Sequence, residues 1–427
     1  MNKVGIGIIG CGNISGAYLT AMKSFPILDI KGVADLNREL AEAKAAEFGL
    51  KAVDIATLLA DPTIEIIVNL TIPKAHVAVG LQALDAGKHT YSEKPLGINF
   101  AEGKKLADAA AAKGLRIGAA PDTFLGGGHQ TARAIIDEGA IGTPVGGTAT
   151  FMCPGHERWH PNPAFYYEVG GGPMLDMGPY YITDLVNLLG PVSQVAGFTV
   201  TPRKERIITS EPRNGEHIPV HVPTHVAGVM AFANGAVVQI GMSFDVAGHK
   251  HVPLEVYGTE GTLIVPDPNR FGGPVEFLKK GGEFAEREIA APYADGNYRS
   301  LGVADMAHAI RSNRPHRANG SLALHVLEVM EAFQTASTAG ARSPSRRKRS
   351  VRPLCPNPSW MGRSAANSTI SGGSSCVKHL SSGAAGAATN RRNAPILSAT
   401  CWKRMASRST SKTAPRPSPT HRSTISA

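Results

Sequence analysis

The chain has 427 residues with 44 Lys+Arg against 34 Asp+Glu, a formal charge of +10 that taken whole invites a nucleic-acid or anionic-surface partner. The charge is unevenly spread: residues 341–427 hold 16 of the basic side chains, 18 Ser and no acidic residue, so residues 1–340 keep 28 basic against 34 acidic and carry −6 while the tail carries +16. No run of 18 apolar residues marks a membrane span, no signal peptide is read at the N-terminus, and two cysteines in the body, Cys11 and Cys153, make no disulfide framework or zinc cluster, which fits a reducing cytoplasm.

The body is too long for one ordinary hydrophobic core and reads as two domains, residues 1–122 and 123–340. Val4–Ile9 is a short uncharged apolar run, the pattern of a strand covered on both faces in a parallel sheet. A helix follows over residues 13–24, then a strand Leu28–Ala34 and an Ala/Glu/Lys-rich helix Arg38–Phe48 closed by Gly49. The alternation continues with strand Ile64–Leu70, helix Lys74–Ala86, strand His89–Ser92, helix Ala101–Lys113 and strand Arg116–Ala119. This regularity predicts a doubly wound α/β domain on a parallel sheet.

The first strand-to-helix turn, Gly10-Cys11-Gly12-Asn13-Ile14-Ser15, fits the G-x-G-x-x-G/A pattern with Ser as the third small residue. Gly10 permits the tight turn and Gly12 lets the backbone approach a pyrophosphate. Asn13 and Ile14 open a helix whose N-terminus offers unpaired N–H donors. Asp35 ends the second strand 23 residues after Gly12, where a carboxylate accepts from the adenine-ribose 2′-OH and repels a 2′-phosphate. NAD is therefore favoured over NADP. Arg38, the residue that could bind such a phosphate, reads as a solvated first-turn side chain.

Glu93-Lys94-Pro95 follows the strand His89–Ser92, at a C-terminal strand end, where such folds hold ligands. Alone, the tripeptide is common and Lys94 reads as a surface ion-pair residue. Beside an oxidised nicotinamide, partial burial and the positive ring would lower the Lys94 pKa toward neutrality, letting it exchange a proton with a substrate hydroxyl as hydride leaves. Thr71-Ile72-Pro73 with His76, then Ala86-Gly87-Lys88-His89-Thr90-Tyr91-Ser92-Glu93-Lys94-Pro95, and later the run Gly170–Asp184, together resemble the Gfo/Idh/MocA oxidoreductases, the glucose–fructose oxidoreductase and inositol dehydrogenase family. The resemblance spans about residues 3–340. It implies that Lys94 is the catalytic acid/base, with Asp176 and Tyr180 beside the reacting hydroxyl. It also adds Thr71, Pro73, His76, Glu93 and Lys94 to the cofactor-binding residues Gly10, Gly12, Asn13, Ile14 and Asp35.

Most of the family carries His where this chain has Tyr180; Tyr there resembles the glucose–fructose oxidoreductase and dihydrodiol dehydrogenase branches. Neutral Tyr is a poor base near pH 7 unless a nearby cation depresses its pKa, a part Lys94 could play. Asp176, Tyr180 and Asp184 share one helical face, with Pro179 bending the helix between the first two; Asp184 reads as structural.

From Val145 the pattern changes to period-2 strands. Val226–Phe232 and Val237–Phe244 flank an Asn234-Gly235 turn, and Leu254–Tyr257 and Thr262–Val265 form a second hairpin, predicting an α+β domain with an open, largely antiparallel sheet. A helix Leu322–Ala336 closes the body. In the resembling family the flat face of that sheet often makes oligomer contacts, so a homo-oligomer is expected. Trp159, Phe165, Tyr166 and Tyr167 cluster before the glycine run; aromatic faces suit the C–H faces of sugars, and such clusters are as often core. Phe124, Trp159 and Tyr166 are the candidate substrate residues. His156-Glu157-Arg158-Trp159-His160 matches the H-E-x-x-H zinc pattern, but Pro154, Pro161 and Pro163 deny it a regular helix; His217, His221 and His225 fail the same way, and no metal site is read.

Residues 341–427 have no hydrophobic periodicity and are expected to be disordered, a frameshift product or an unrelated extension. The favoured function is an NAD-dependent oxidoreductase acting on a secondary hydroxyl or ketone of a sugar, cyclitol or related diol. The alternatives are an NAD-retaining glycoside- or epimer-processing enzyme, a non-catalytic nucleotide-binding regulator and, least favoured, a nucleic-acid binder using the tail.

Overall fold

The structure, a computed structural model, describes residues 2–339, so the tail and the expectations attached to it lie outside the described residues. All six residues of β1 (Val4–Ile9) are buried, as an uncharged run with both faces covered requires. It pairs in parallel with β2 (Leu28–Ala34) and β3 (Ile66–Asn69); β4 (His89–Ser92) and β5 (Ile117–Ala119) extend the sheet in parallel, in the order β2-β1-β3-β4-β5.

The connecting helices are α1 (Ser15–Met22), α2 (Arg38–Phe48), α3 (Ile55–Ala60), α4 (His76–Asp85) and α5 (Phe100–Ala112). Local chemistry sets their ends. Asn37, Asp54 and Asn99 cap α2, α3 and α5 by accepting from backbone N–H groups of the first turn, and Gly49 closes α2 at φ 69°. This winding puts Gly10–Asn13, Asp35, Thr71 and Glu93–Lys94 at the C-terminal ends of four neighbouring strands.

After β5 come α6 (Gly127–Asp137), β6 (Pro144–Met152) and a long loop. Then follow α7 (Pro173–Asp176), α8 (Gly178–Leu189), β7 (Val192–Val200), a small hairpin of β8 (Glu205–Ile207) and β9 (His217–Pro219), β10 (His225–Phe232) and β11 (Val237–Ser243). β12 (Leu254–Gly258), β13 (Gly261–Val265), β14 (Glu276–Lys279) and β15 (Phe284–Glu286) complete a second sheet of eight strands, β15-β14-β13-β12-β6-β11-β10-β7. Its pairs are antiparallel except β6 with β11, so the sheet is mixed and mostly antiparallel. The Asn234-Gly235 hairpin forms as its sequence predicts, with Gly235 at φ 94°.

One face of this sheet presents Val226, Met230, Val238, Ile240 and Met242 to α8 and to α10 (Gly320–Ala339) through Tyr181, Leu185, Leu327, Met330 and Phe333. The opposite face leaves Phe198, Val200, Val229 and Val237 exposed. α9 (Leu301–Ser312) packs into the core of the first sheet, where Leu301, Val303 and Met306 join Tyr18, Leu19 and Tyr91. Among the described residues no helix is long and apolar enough to cross a membrane.

Candidate active site

The glycine turn is built as its residue types require. Gly10 sits at φ 104°, and a Cβ there would lie 2.6 Å from the Leu70 carbonyl, so nothing larger fits. Around Gly12 the direction a Cβ would take is open space. The first turn of α1 has no side-chain cap, leaving its N–H groups for a ligand. Asp35 Oδ2 accepts from Cys11 N at 2.7 Å and Oδ1 from Asn37 N at 2.8 Å, which fixes the carboxylate at the rim of this space. An uncapped helix end, a glycine with room above it and a fixed carboxylate together fit a dinucleotide. Arg38 pairs with Glu42 on the exposed face of α2.

Thr71 and Pro73 lie on the turn beyond β3, where Asn69 Oδ1 accepts from both Thr71 N and Thr71 Oγ1. His76, expected among the cofactor ligands, is fully buried: Nδ1 lies 2.7 Å from Pro95 O and Nε2 2.9 Å from Thr71 O. Burial lowers the His76 pKa and favours the neutral ring, which has one N–H to donate, to Pro95 O or to Thr71 O, so the buried imidazole sits between the Thr71 turn and the Lys94–Pro95 loop. Glu93 is buried too, accepting from Tyr18 Oη at 2.7 Å and from Lys94 N at 3.0 Å.

Lys94 Nζ donates to Asp176 O and Asp176 Oδ1, each at 2.8 Å. Burial works against the lysine charge, but the Asp176 carboxylate, with Tyr180 and Glu93 behind it, outweighs burial and holds the ammonium above the ordinary lysine range. The expectation of a lysine lowered toward neutrality concerns the site with an oxidised nicotinamide beside it; toward the Asp176 carboxylate alone the shift runs the other way. Burial likewise disfavours the Asp176 charge, and Lys94 and His156 overcome it, holding the carboxyl well below its usual range.

His156 is the site residue that sequence reasoning set aside. The segment 156–160 is a run of turns, as its prolines require. Trp159 Nε1, a donor only, lies 3.1 Å from His156 Nδ1, and His156 Nε2 lies 3.1 Å from Asp176 Oδ2. These partners assign the neutral tautomer with its hydrogen on Nε2, donated to Asp176. Asp176 is thus held on one oxygen by Lys94 and on the other by His156.

The helix carrying Asp176 and Tyr180 breaks at Met177, between α7 and α8, with Pro179 in the first turn of α8. Lys94 Nζ stands 5.2 Å from the Tyr180 ring centroid, over its face. Arg299, its guanidinium bonded to Asn269 Oδ1 and Asn297 Oδ1, is a second positive charge that bears on the Tyr180 phenol. Burial keeps the phenol above its ordinary pKa although Lys94 and Arg299 pull it down, so the two cations do not make it a phenolate. Asp184, one turn on, is buried against His129 Nδ1 at 2.8 Å and is structural.

Of the three candidate substrate residues, Tyr166 and Trp159 meet the site. The Tyr166 ring lies 4.5 Å from that of His156, and Trp159, 55% exposed, stands edge-on to His156 at 5.4 Å. Phe124 does not stand open: it is 4% exposed in the core with Leu125 and Phe271. Behind the aromatic shelf, buried Arg206 reaches Glu157 Oε1 at 3.0 Å, Phe244 O at 2.9 Å and Asp245, while Glu157 also takes the Tyr167 hydroxyl. Sequence reasoning missed His156, Arg206 and Arg299. The signal for Glu157 was a charge inside an otherwise aromatic, turn-rich segment; Arg206, in a charged stretch without aromatic residues, and Arg299 carried none.

Residues 4–120 match the model of an oxidoreductase family with an NAD-binding Rossmann fold, and residues 129–264 match that of the GFO/IDH/MocA C-terminal domain. A levoglucosan dehydrogenase from Pseudarthrobacter phenanthrenivorans is 26% identical over 379 residues, covering 81% of this chain and 92% of its own. Among solved structures, an NAD-binding oxidoreductase from Klebsiella pneumoniae aligns with TM-score 0.70 at 24% identity, over 79% of this chain and 97% of its own. A levoglucosan dehydrogenase in complex with NADH and L-sorbose aligns with the same TM-score at 22% identity, over 79% and 98%. At these identities the two solved structures establish the fold.

Proposed function

The chain belongs to the Gfo/Idh/MocA oxidoreductases, with an NAD-binding Rossmann domain, and from that premise we propose that it transfers hydride between the nicotinamide and a secondary hydroxyl or ketone of a sugar, cyclitol or related diol, with Lys94 handling the proton. The observation that carries this reading is the double clamp on Lys94. Two of its three ammonium hydrogens go to Asp176 O and Oδ1, at the strand ends beside the glycine turn. The third is assigned to the substrate oxygen.

Bound NAD supplies the hydride acceptor, and its oxidised ring a positive charge beside the site. Gly10, Gly12, Asn13, Ile14 and Asp35 would hold its pyrophosphate and ribose, and Thr71, Pro73 and Glu93 would line its nicotinamide half. In ketone reduction Lys94 gives a proton to the substrate oxygen. In alcohol oxidation it must first lose one, so oxidative turnover rises with pH while Asp176 opposes that loss. His156 orients Asp176 through Nε2, and Tyr180 offers a second hydrogen bond to the same oxygen. Trp159 and Tyr166 give the apolar face a pyranose or cyclitol presents to aromatic rings. The relatives fit that class: they include a levoglucosan dehydrogenase, a 1,5-anhydro-D-fructose reductase and an inositol 2-dehydrogenase. The exposed Phe198, Val200, Val229 and Val237 favour a homo-oligomer through the second sheet, and the free thiols of Cys11 and Cys153 among the described residues fit a cytoplasmic setting.

The test is a screen of levoglucosan, inositol and related polyols with NAD, following NADH absorbance, on wild type and Lys94→Ala. Lys94→Ala should lose turnover by about 10²–10⁴-fold while binding NADH within about three-fold of wild type. Turnover unchanged in that variant refutes the assignment of Lys94.

A further inference from the structure

Trp159 is exposed on the aromatic shelf, yet its one polar atom is turned back into the wall of the cleft. The turn itself makes that return. Trp159 N and His160 N both donate to His156 O, at 3.2 and 3.0 Å, which brings the indole against the imidazole three residues before it. Nε1 lies 3.1 Å from His156 Nδ1, with the two rings edge-on at 74° between their planes. An indole N–H donates and cannot accept, so Nδ1 is the acceptor and the hydrogen of the neutral ring sits on Nε2, 3.1 Å from Asp176 Oδ2. The rest of His156 is held as closely. Its backbone N donates to Tyr167 Oη at 3.3 Å, and the rings of Tyr166 and Phe244 each lie 4.5 Å from the imidazole. A tryptophan whose N–H is spent on an internal acceptor offers only its apolar faces to a ligand.

We propose that Trp159 has a double use: its ring takes the C–H face of the substrate, and its N–H makes it a positioning residue that acts on Lys94 through His156 and Asp176. The contacts run from Trp159 Nε1–H to His156 Nδ1, from His156 Nε2–H to Asp176 Oδ2, and from Lys94 Nζ to Asp176 Oδ1, the last at 2.8 Å. Only Lys94 moves a proton. The other three fix where its ammonium points, and a small misplacement of such a group is costly in turnover. The side chain that meets the substrate ring thereby also keeps the acid/base in place. The inference rests on reading Lys94 as the proton carrier.

Two substitutions separate the two uses in the full chain, assayed with the polyol that turns over best in the screen. Trp159→Phe keeps a ring on the shelf and removes the N–H; it should lower kcat by about ten-fold with KM and NADH affinity within about three-fold of wild type. Trp159→Ala removes both, and should match that loss of kcat and raise KM by about ten-fold as well. In a His156→Leu background Trp159→Phe should cost less than about two-fold in kcat, because the ring it acts through is gone. Additive losses, or a Trp159→Phe variant with kcat within about two-fold of wild type, overturn the proposal. A substrate-free arm separates its failure from that of the Lys94 reading. With 15N-labelled histidine at mildly alkaline pH, the ring resonances lost in His156→Leu should report a bare Nδ1 and a protonated Nε2 in wild type, and the Nδ1 resonance should shift in Trp159→Phe. Should the leucine variant not fold, His156→Gln takes its place in both arms. A hydrogen found on Nδ1, or an Nδ1 resonance unmoved in Trp159→Phe, overturns the contact whatever the substrate proves to be.

Discussion

The cofactor side of the cleft is made of backbone, whereas the wall facing it is made of side chains held by other side chains. At Gly10–Ile14 the determinants are a positive φ, an open space above Gly12 and an uncapped helix end, with Asp35 fastened to amides of the same turns. Across the cleft, Asp176 depends on Lys94 and His156, His156 on Trp159, and the loop carrying them on Arg206 bonded to Glu157 and Asp245. The first kind of site tolerates change in most of its side chains. The second loses its geometry when one member of the chain of contacts is removed, because buried charges left alone are costly.

Four substitutions test that contrast beyond Lys94→Ala. The largest effect is expected for Arg206→Met, which strands Glu157 and Asp245: a loss of about 3–5 kcal/mol in urea unfolding. A loss below about 1 kcal/mol would show that the wall does not lean on this network. Next is Asp122→Asn. Burial raises the Asp122 pKa to about 6 even though Ser300 N and Gly302 N bond it. The folded state therefore binds this proton more tightly than the unfolded chain, and the group's contribution is full below about pH 4 and lost as pH rises through about 6. Asp122→Asn should remove up to about 3 kcal/mol of that decline, read as the difference between the two proteins' stability–pH curves. Identical curves would mean that the carboxyl does not titrate in this window.

Asp35→Ala should weaken NADH binding by about ten-fold and narrow the preference over NADPH, measured by fluorescence titration, with stability little changed. If stability fell instead, the backbone-built side would be as dependent on its side chains as the facing wall. The smallest effect belongs to Lys74 and Glu168, an exposed pair 2.6 Å apart that spans the two sides. Lys74→Ala should change stability by less than about 1 kcal/mol, and a larger change would mean that the two sides are coupled at the mouth of the cleft.

The same contrast explains what could be read early. The strands of the first sheet, the turn at Gly10 and Gly12, Asp35 and the hairpin at Asn234-Gly235 follow from local rules: apolar runs, glycine where φ is positive, caps at helix ends. Lys94, Asp176 and Tyr180 were legible as motif members, yet their electrostatics were not. Lys94 pairs with a residue 82 positions away, and that anion reverses the direction in which burial alone would move it. His76 and Phe124 are buried in the fold, and spacing along the sequence does not reveal which side of a loop is covered.

The formal +10 belongs to the tail, and the sequence by itself assigned the body its mild negative charge, its α/β start, its cofactor turn and its family. Those features depend on composition and on residues close along the chain. Only the tertiary structure decided that His156 would reach Asp176, and that the turn at Ser300 would close on Asp122, 178 positions away. Such contacts join residues tens to hundreds of positions apart, and their energies depend on burial and on the sign of the neighbouring charge. Neither quantity exists until the chain has folded.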